Sequence, residues 1–246
     1  NKNQNKTHTL HGGTDGSATR NWKIIEHDKS KVKLFDELPD GHMGFPGNLK
    51  VETTYKVDKS TIDIFIEAST DKTTLCNFTN HSYFNLDGTK NIANHNLIVN
   101  CENVLPVDKN GIPLSKPVSA KELSLEFKNS RKLNDDGKPT EIDHNFCISN
   151  TRQNLSTNAI LSTKNISLEL LSTEPGLQIY TGKGLNSGND KGWGGHSYKA
   201  FAGIALEPQI WPDSPNQVGF PNPYLSPNEK YKHHTRIKFS GSNNKK

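Results

Sequence analysis

The chain reads as an all-β protein, an antiparallel β-sandwich, on three observations. Apolar and polar residues alternate with a period of two through most ordered-looking stretches. The alternating runs are short and separated by turns rich in Gly, Asn, Asp and Ser. No long stretch holds a helical period, 119–128 being the nearest approach and a weak one. Many short strands joined by turn-rich loops suit a sandwich, and 246 residues suffice for one substantial core.

The elements follow in order. Strands are expected at 22–26 and 31–36. Next comes a hairpin: Leu49, Val51, Thr53, Tyr55 and Val57 share one face, with Lys50, Glu52, Thr54 and Lys56 on the other. Across the polar turn Asp58-Lys59-Ser60, Ile62, Ile64 and Ile66 repeat the pattern. Further strands are expected at 74–80, 97–101, 145–149, 158–162, 166–172, 177–181, 202–207 and 234–239. Residues 183–197, rich in Gly, Asn and Ser, read as a long loop. There is no internal repeat and no linker, so a single domain over 1–246 is expected, with the polar ends 1–7 and 241–246 fraying.

Composition narrows the function classes. A hydrophobic content of 31% and a mean hydropathy of -0.77 describe a polar chain, but its apolar residues cluster in runs, unlike disorder. The net charge of +4 comes from 30 basic and 26 acidic residues scattered along the sequence, with no basic stripe to suggest nucleic-acid binding. No apolar run approaches membrane-spanning length. Cys76, Cys101 and Cys147 are odd in number and lack a C-x-x-C spacing, so neither a disulfide framework nor a zinc site is signalled. N-x-S/T triplets occur at Asn5, Asn77, Asn80, Asn154 and Asn165, a number that an Asn-, Ser- and Thr-rich sequence yields by chance. A reducing, cytoplasmic setting is expected. Nothing in the sequence sets an oligomeric state.

Two runs carry chemistry. His81 lies in Asn77-Phe78-Thr79-Asn80-His81-Ser82-Tyr83-Phe84-Asn85-Leu86. Taken alone, it fits a core histidine that satisfies a backbone carbonyl. Glu207 lies in Gly203-Ile204-Ala205-Leu206-Glu207-Pro208-Gln209, and Pro208 would end strand pairing and leave the carboxylate at a strand end facing a cleft. Taken alone, it fits a solvated loop glutamate. A histidine and a carboxylate are the usual proton donor and acceptor near neutral pH. Several other motifs are decoys. Gly182-Lys183-Gly184-Leu185-Asn186-Ser187-Gly188 lacks the phosphate-loop spacing, and His233-His234 lacks a metal-site context. Trp193 and Trp211 suit either sugar stacking or structural burial.

Together these words resemble the aldose 1-epimerases (galactose mutarotases) from the first dozen residues to the last strand. The likeness continues through Trp211-Pro212-Asp213, Asn216-Gln217, Phe220-Pro221 and Leu225-Ser226-Pro227-Asn228-Glu229-Lys230-Tyr231. The resemblance implies a mutarotase-like supersandwich that interconverts the anomers of free aldohexoses such as galactose and glucose. It casts His81 as general acid and Glu207 as general base. Ser82 and Tyr83 would neighbour the sugar. Asp143 in Asp143-His144-Asn145-Phe146, Gln178 in Pro175-Gly176-Leu177-Gln178-Ile179-Tyr180-Thr181-Gly182, and His11 in Leu10-His11-Gly12-Gly13 would hold its hydroxyls. No cofactor or metal is implied, and the partner is a monosaccharide. In the family, strands and a sugar-contacting Asn-Arg pair precede the Leu10-His11-Gly12-Gly13 word, so this sequence is expected to be an N-terminally incomplete fragment whose early sheet edges lack partners. Two other readings fit the same residues: an inactive sugar-binding module, and a domain of a larger nucleotide-sugar epimerase fusion.

Overall fold

The computed structural model describes all residues except Ser115, Trp193, Gly194 and Ser242–Lys246. The described chain is built of antiparallel strands, with only short 3-10 turns besides. It divides into two compact units, residues 1–77 with 223–234, and residues 78–222 with 235–246.

The first unit is a meander of four strands, β1 Lys23–His27, β2 Lys31–Leu38, β3 Leu49–Asp58 and β4 Thr61–Thr70. The expected hairpin forms between β3 and β4, in unbroken register from Leu49↔Thr70 to Asp58↔Thr61. Lys59, at φ 53, takes the left-handed conformation that the tight turn needs. The register puts Val51 opposite Ala68, Thr53 opposite Ile66 and Tyr55 opposite Ile64 on one face. That face is buried at Leu49, Val51, Ile64, Ile66 and Ala68 and opens to solvent towards Val57. On the other face Asp63 accepts from His234 Nε2 at 2.6 Å, and the His234 ring stacks on Phe65 at 4.2 Å. Residues 1–7, expected to fray, carry a short bridge between Gln4 and His8. Of the other polar end, only Gly241 is described.

The second unit contains β5 Tyr83–Phe84, β6 Asn96–Val99, β7 Asn103–Val104, β8 Val118–Ser119, β9 Arg131–Lys132 and β10 Asp143–Cys147. After these come β11 Ser156–Ser162, β12 Ile166–Ser172, β13 Gly176–Tyr180 and β14 Ile204–Gln209. The final strand, β15 Tyr231–Gly241, belongs to this unit from Thr235 onward. One ladder runs β15-β12-β11-β6-β9 and a second runs β5-β14-β13-β10-β7-β8. Alternate residues of both are fully buried: Leu161, Leu168 and Leu170 in the first, Phe146, Leu177, Ile179 and Ile204 in the second. Burying each such side chain contributes about 1.5–3 kcal/mol.

Two expectations need adjustment. The run 74–80 pairs only at Thr74–Leu75, with Tyr224–Leu225, because polar Asn77, Thr79 and Asn80 interrupt the alternation. Residues 119–128, the nearest approach to a helical period, form no helix, as expected: Ser119 ends β8 and 120–124 are turn. Pro208 does not end its strand: β14 runs on to Gln209, with Leu177 opposite Pro208 and Gly176 opposite Gln209. On its other side β14 pairs with β5 only at Ile204 and Ala205, so Pro208 lies where the strand is locally an edge and a missing N–H costs no ladder bond.

Candidate active site

Register builds the site. Across the second ladder Asn145 stands opposite Gln178, and Gln178 opposite Glu207. The next row is Asp143, Tyr180, Ala205 and Tyr83. Residues directly opposite, and those two apart along a strand, share a face. Asp143, Asn145, Gln178, Tyr180, Tyr83 and Glu207 therefore all project from one side of this sheet. Phe146, Leu177, Ile179, Leu206 and Ile204 bury the other side in the core. The apolar face fixes the register, and the register collects the polar groups.

His81 precedes β5, and its Nε2 lies 3.4 Å from Glu207 Oε1. The Glu207 side chain is 6% exposed and that of His81 33%. The Tyr83 ring lies 5.1 Å from the His81 ring and 6.3 Å from that of Tyr180, the latter edge-on. Gln178 Nε2 donates to Asp143 Oδ1 at 2.8 Å, so these two arrive as a preassembled polar pair. Gly176 completes the floor. A Cβ there would come within 2.5 Å of Asn145 Oδ1 and 2.8 Å of the Trp211 ring, so only glycine fits.

Burial sets the electrostatics. It pushes the Glu207 carboxyl up to about 8, with the negative field of Asp143 adding to the shift. It pulls His81 below its ordinary value, against smaller upward pulls from its own backbone and Asp143. The 3.4 Å approach works in the opposite sense, since it favours a carboxylate beside an imidazolium. The two groups therefore titrate as a pair. Around neutral pH that pair holds one proton, on the carboxyl when burial dominates and on the ring when pairing dominates. Tyr83 is raised to about 12, chiefly by burial, and stays a neutral phenol. Asp143 is raised by the protein around it, while the Gln178 hydrogen bond pulls it down; its exposure at the rim screens both effects.

Of the seven residues singled out in the sequence, five gather on this face or at its edge: His81, Tyr83, Asp143, Gln178 and Glu207. Ser82 is exposed beside His81 in the chain; among the described residues its backbone N–H donates to Asn80 Oδ1, and no hydrogen bond joins its hydroxyl to the pair. His11 belongs to the first unit, exposed at φ 51 ahead of Gly12 and Gly13, which also take positive φ. Sequence reading missed Asn145 and Tyr180. Their signal was the period-two spacing from Asp143 and Gln178, which puts them on the same face. Trp211 is structural: it is 4% exposed and its Nε1 donates to the Pro175 carbonyl at 3.0 Å. Trp193 lies outside the described residues.

A family model described as aldose 1-epimerase matches residues 1–238. The chain belongs to the aldose 1-epimerase family. It is 36% identical over 240 residues to the galactose mutarotase of Mus musculus, a match covering 94% of this chain and 69% of the mouse protein. The aldose 1-epimerase of Escherichia coli K12 is 33% identical over 243 residues, covering 94% of this chain and 70% of that protein. Among solved structures, an aldose epimerase homologue from C. elegans superposes with a TM-score of 0.87 at 29% identity, over 95% of this chain and 73% of the other. Galactose 1-epimerase from Lactobacillus acidophilus gives 0.81 at 28% identity, over 97% and 71%. These likenesses bear out the all-β, mutarotase-like fold that the sequence resemblance implied.

Proposed function

We propose that the chain interconverts the α and β anomers of free aldohexoses such as galactose and glucose, with Glu207 and His81 as its proton-transfer couple. The observation that carries this reading is the 3.4 Å approach of His81 Nε2 to Glu207 Oε1 on a polar sheet face. Family membership and the names borne by the relatives support the choice of reaction.

Anomer exchange removes the proton from the anomeric hydroxyl, delivers one to the ring oxygen, opens the ring, and recloses it after the carbonyl has turned. Substrate and product are isomers, so the enzyme must end with the proton count it began with. A coupled acid and base sharing one proton meets that demand: Glu207 takes the hydroxyl proton as His81 gives its own to the ring oxygen, and closure reverses both transfers. Burial favours the proton on Glu207, which is where it lies in the ring-opened stage. The bound sugar supplies hydroxyls that compensate the opposite arrangement. Asp143 and Gln178 hold hydroxyls as a fixed acceptor and donor, and Tyr83 closes the pocket with an apolar ring and a neutral phenol. Ser82 and His11 are proposed as further sugar contacts on the strength of the sequence resemblance. We place the protein in the cytoplasm because Cys76, Cys101 and Cys147 form no disulfide among the described residues.

Polarimetry on freshly dissolved α-galactose and α-glucose tests the reading. Rotation should relax faster with the protein than without it, and kcat/KM should fall on both sides of neutral pH as the pair gains a second proton or loses its only one. Binding of galactose without any acceleration would point instead to an inactive sugar-binding module.

A further inference from the structure

His95 takes no part in the chemistry above, yet it is completely buried and bonded to the segment that carries the acid. Its Nε2 lies 2.8 Å from the backbone nitrogen of Leu86, which donates to it. A ring nitrogen that accepts from an N–H carries no proton, so the ring proton must sit on Nδ1. That nitrogen is buried beside the Ile92 carbonyl without a well-formed hydrogen bond.

Leu86 ends the run in which β5 pairs with β14 at only two residues, Tyr83↔Ala205 and Phe84↔Ile204. Two backbone pairs are a weak hold on a segment that must keep His81 opposite Glu207. Beyond the ladder the chain is held by side chains. Asn85 Nδ2 donates to the Ala202 carbonyl at 2.9 Å and to that of Thr89 at 2.8 Å, and Leu86 is held by His95. His95 is itself fixed by its backbone: its N–H donates to the Ile92 carbonyl, and its carbonyl accepts from Leu133.

We propose that His95 is a positioning residue for the reaction: as a neutral acceptor it clamps the Leu86 amide and so keeps the 80–86 segment, with His81 and Tyr83, in place against Glu207. Histidine suits the task because it combines a flat, mostly apolar body with an acceptor at the distance of Nε2. Burial lowers its affinity for a proton and keeps the acceptor available. The charge of Asp87 acts on the ring in the opposite direction, as does the Ile92 backbone.

The proposal rests on the mutarotase reading, and the test separates the two. His95→Phe fills the site without an acceptor, whereas His95→Gln returns an acceptor at the reach of Nε2. By polarimetry, kcat of the Phe variant should fall about 10–100-fold, the scale on which small misplacements of reacting groups act. KM should change little, because Asp143 and Gln178 sit on other strands. The Gln variant should recover most of the loss. Equal impairment of the two variants, or a folded Phe variant with wild-type kcat, overturns the proposal. Should the Phe variant fail to fold, ¹⁵N NMR of the wild-type ring decides: an unprotonated, hydrogen-bonded Nε2 supports the clamp, and a protonated Nε2 overturns it. A wild type without mutarotase activity would sink the functional reading while leaving the NMR result to stand for the clamp.

Discussion

Glu174 and Glu207 belong to the same unit and are buried almost alike, at 2% and 5% exposure, yet their surroundings differ in kind. Glu174 is gripped by a guanidinium fork: Arg152 Nε reaches Oε1 at 2.7 Å and Nη2 reaches Oε2 at 3.1 Å. Both carboxylate oxygens are satisfied by a permanent cation. Glu207 is paired, among the described residues, with an imidazole whose charge comes and goes, and it also feels the negative field of Asp143. One buried carboxylate is neutralised and serves as structure. The other is left close to its tipping point, where a proton can move at little cost. Partner identity, rather than depth of burial, separates the strut from the proposed catalyst.

The largest expected effect breaks the comparison at its active member. Glu207→Gln and His81→Asn should each slow mutarotation by about 10²–10⁴-fold with the fold intact. Glu174→Gln should leave kcat within a few-fold of wild type. Polarimetry, with circular dichroism as the folding control, measures all three, and a slow Glu174→Gln enzyme would erase the distinction.

Breaking the structural member should cost stability instead. Arg152→Ala leaves the Glu174 carboxylate buried without its cation, a loss of about 3–5 kcal/mol. Urea unfolding of Arg152→Ala against wild type reads this, and an unchanged midpoint would mean that the pair contributes nothing.

A third effect follows from the sign of the Glu207 shift. Its folded value, about 8, lies above the ordinary carboxylate value of 4.5. The stability this group contributes is therefore complete below about pH 4.5 and lost as pH rises through about 8. Replacing it with neutral Gln should raise Tm relative to wild type at pH 9 and leave it almost unchanged at pH 5, a difference on the order of a few kcal/mol. Thermal scans at the two pH values check it; an equal gap at both would show that His81 already holds Glu207 ionised. The smallest effect belongs to the pair proposed to hold hydroxyls: Gln178→Ala should raise KM for galactose about 10-fold, one hydrogen bond's worth, with kcat less affected.

Much of this was legible in the sequence because it is local. Alternation along 49–57 and 62–66 is dictated by one buried face, and the hairpin forms as read. His81 and Glu207 stood out because each sits in a distinctive word. What was hidden is what depends on register between distant strands. Nothing near Asn145 announces that it will stand opposite Gln178, and nothing in Arg152 names Glu174 as its partner. Pro208 was misread for the same reason, since a proline ends pairing only where a neighbour needs its N–H. The strand at Tyr83–Phe84 is two residues long and too short to show a period.

That proline has a consequence for how the molecule keeps to itself. Past Ala205, β14 has no ladder partner on the side where β5 has stopped, although Leu206, Glu207 and Pro208 are themselves buried. A strand end without a partner, once uncovered, is a template on which a foreign strand can add and start aggregation. Pro208 stands in the middle of that stretch and offers an incoming strand a ring where it needs a donor. The residue after the glutamate proposed as base thus acts as a guard, letting the sheet end beside the candidate site without recruiting another chain.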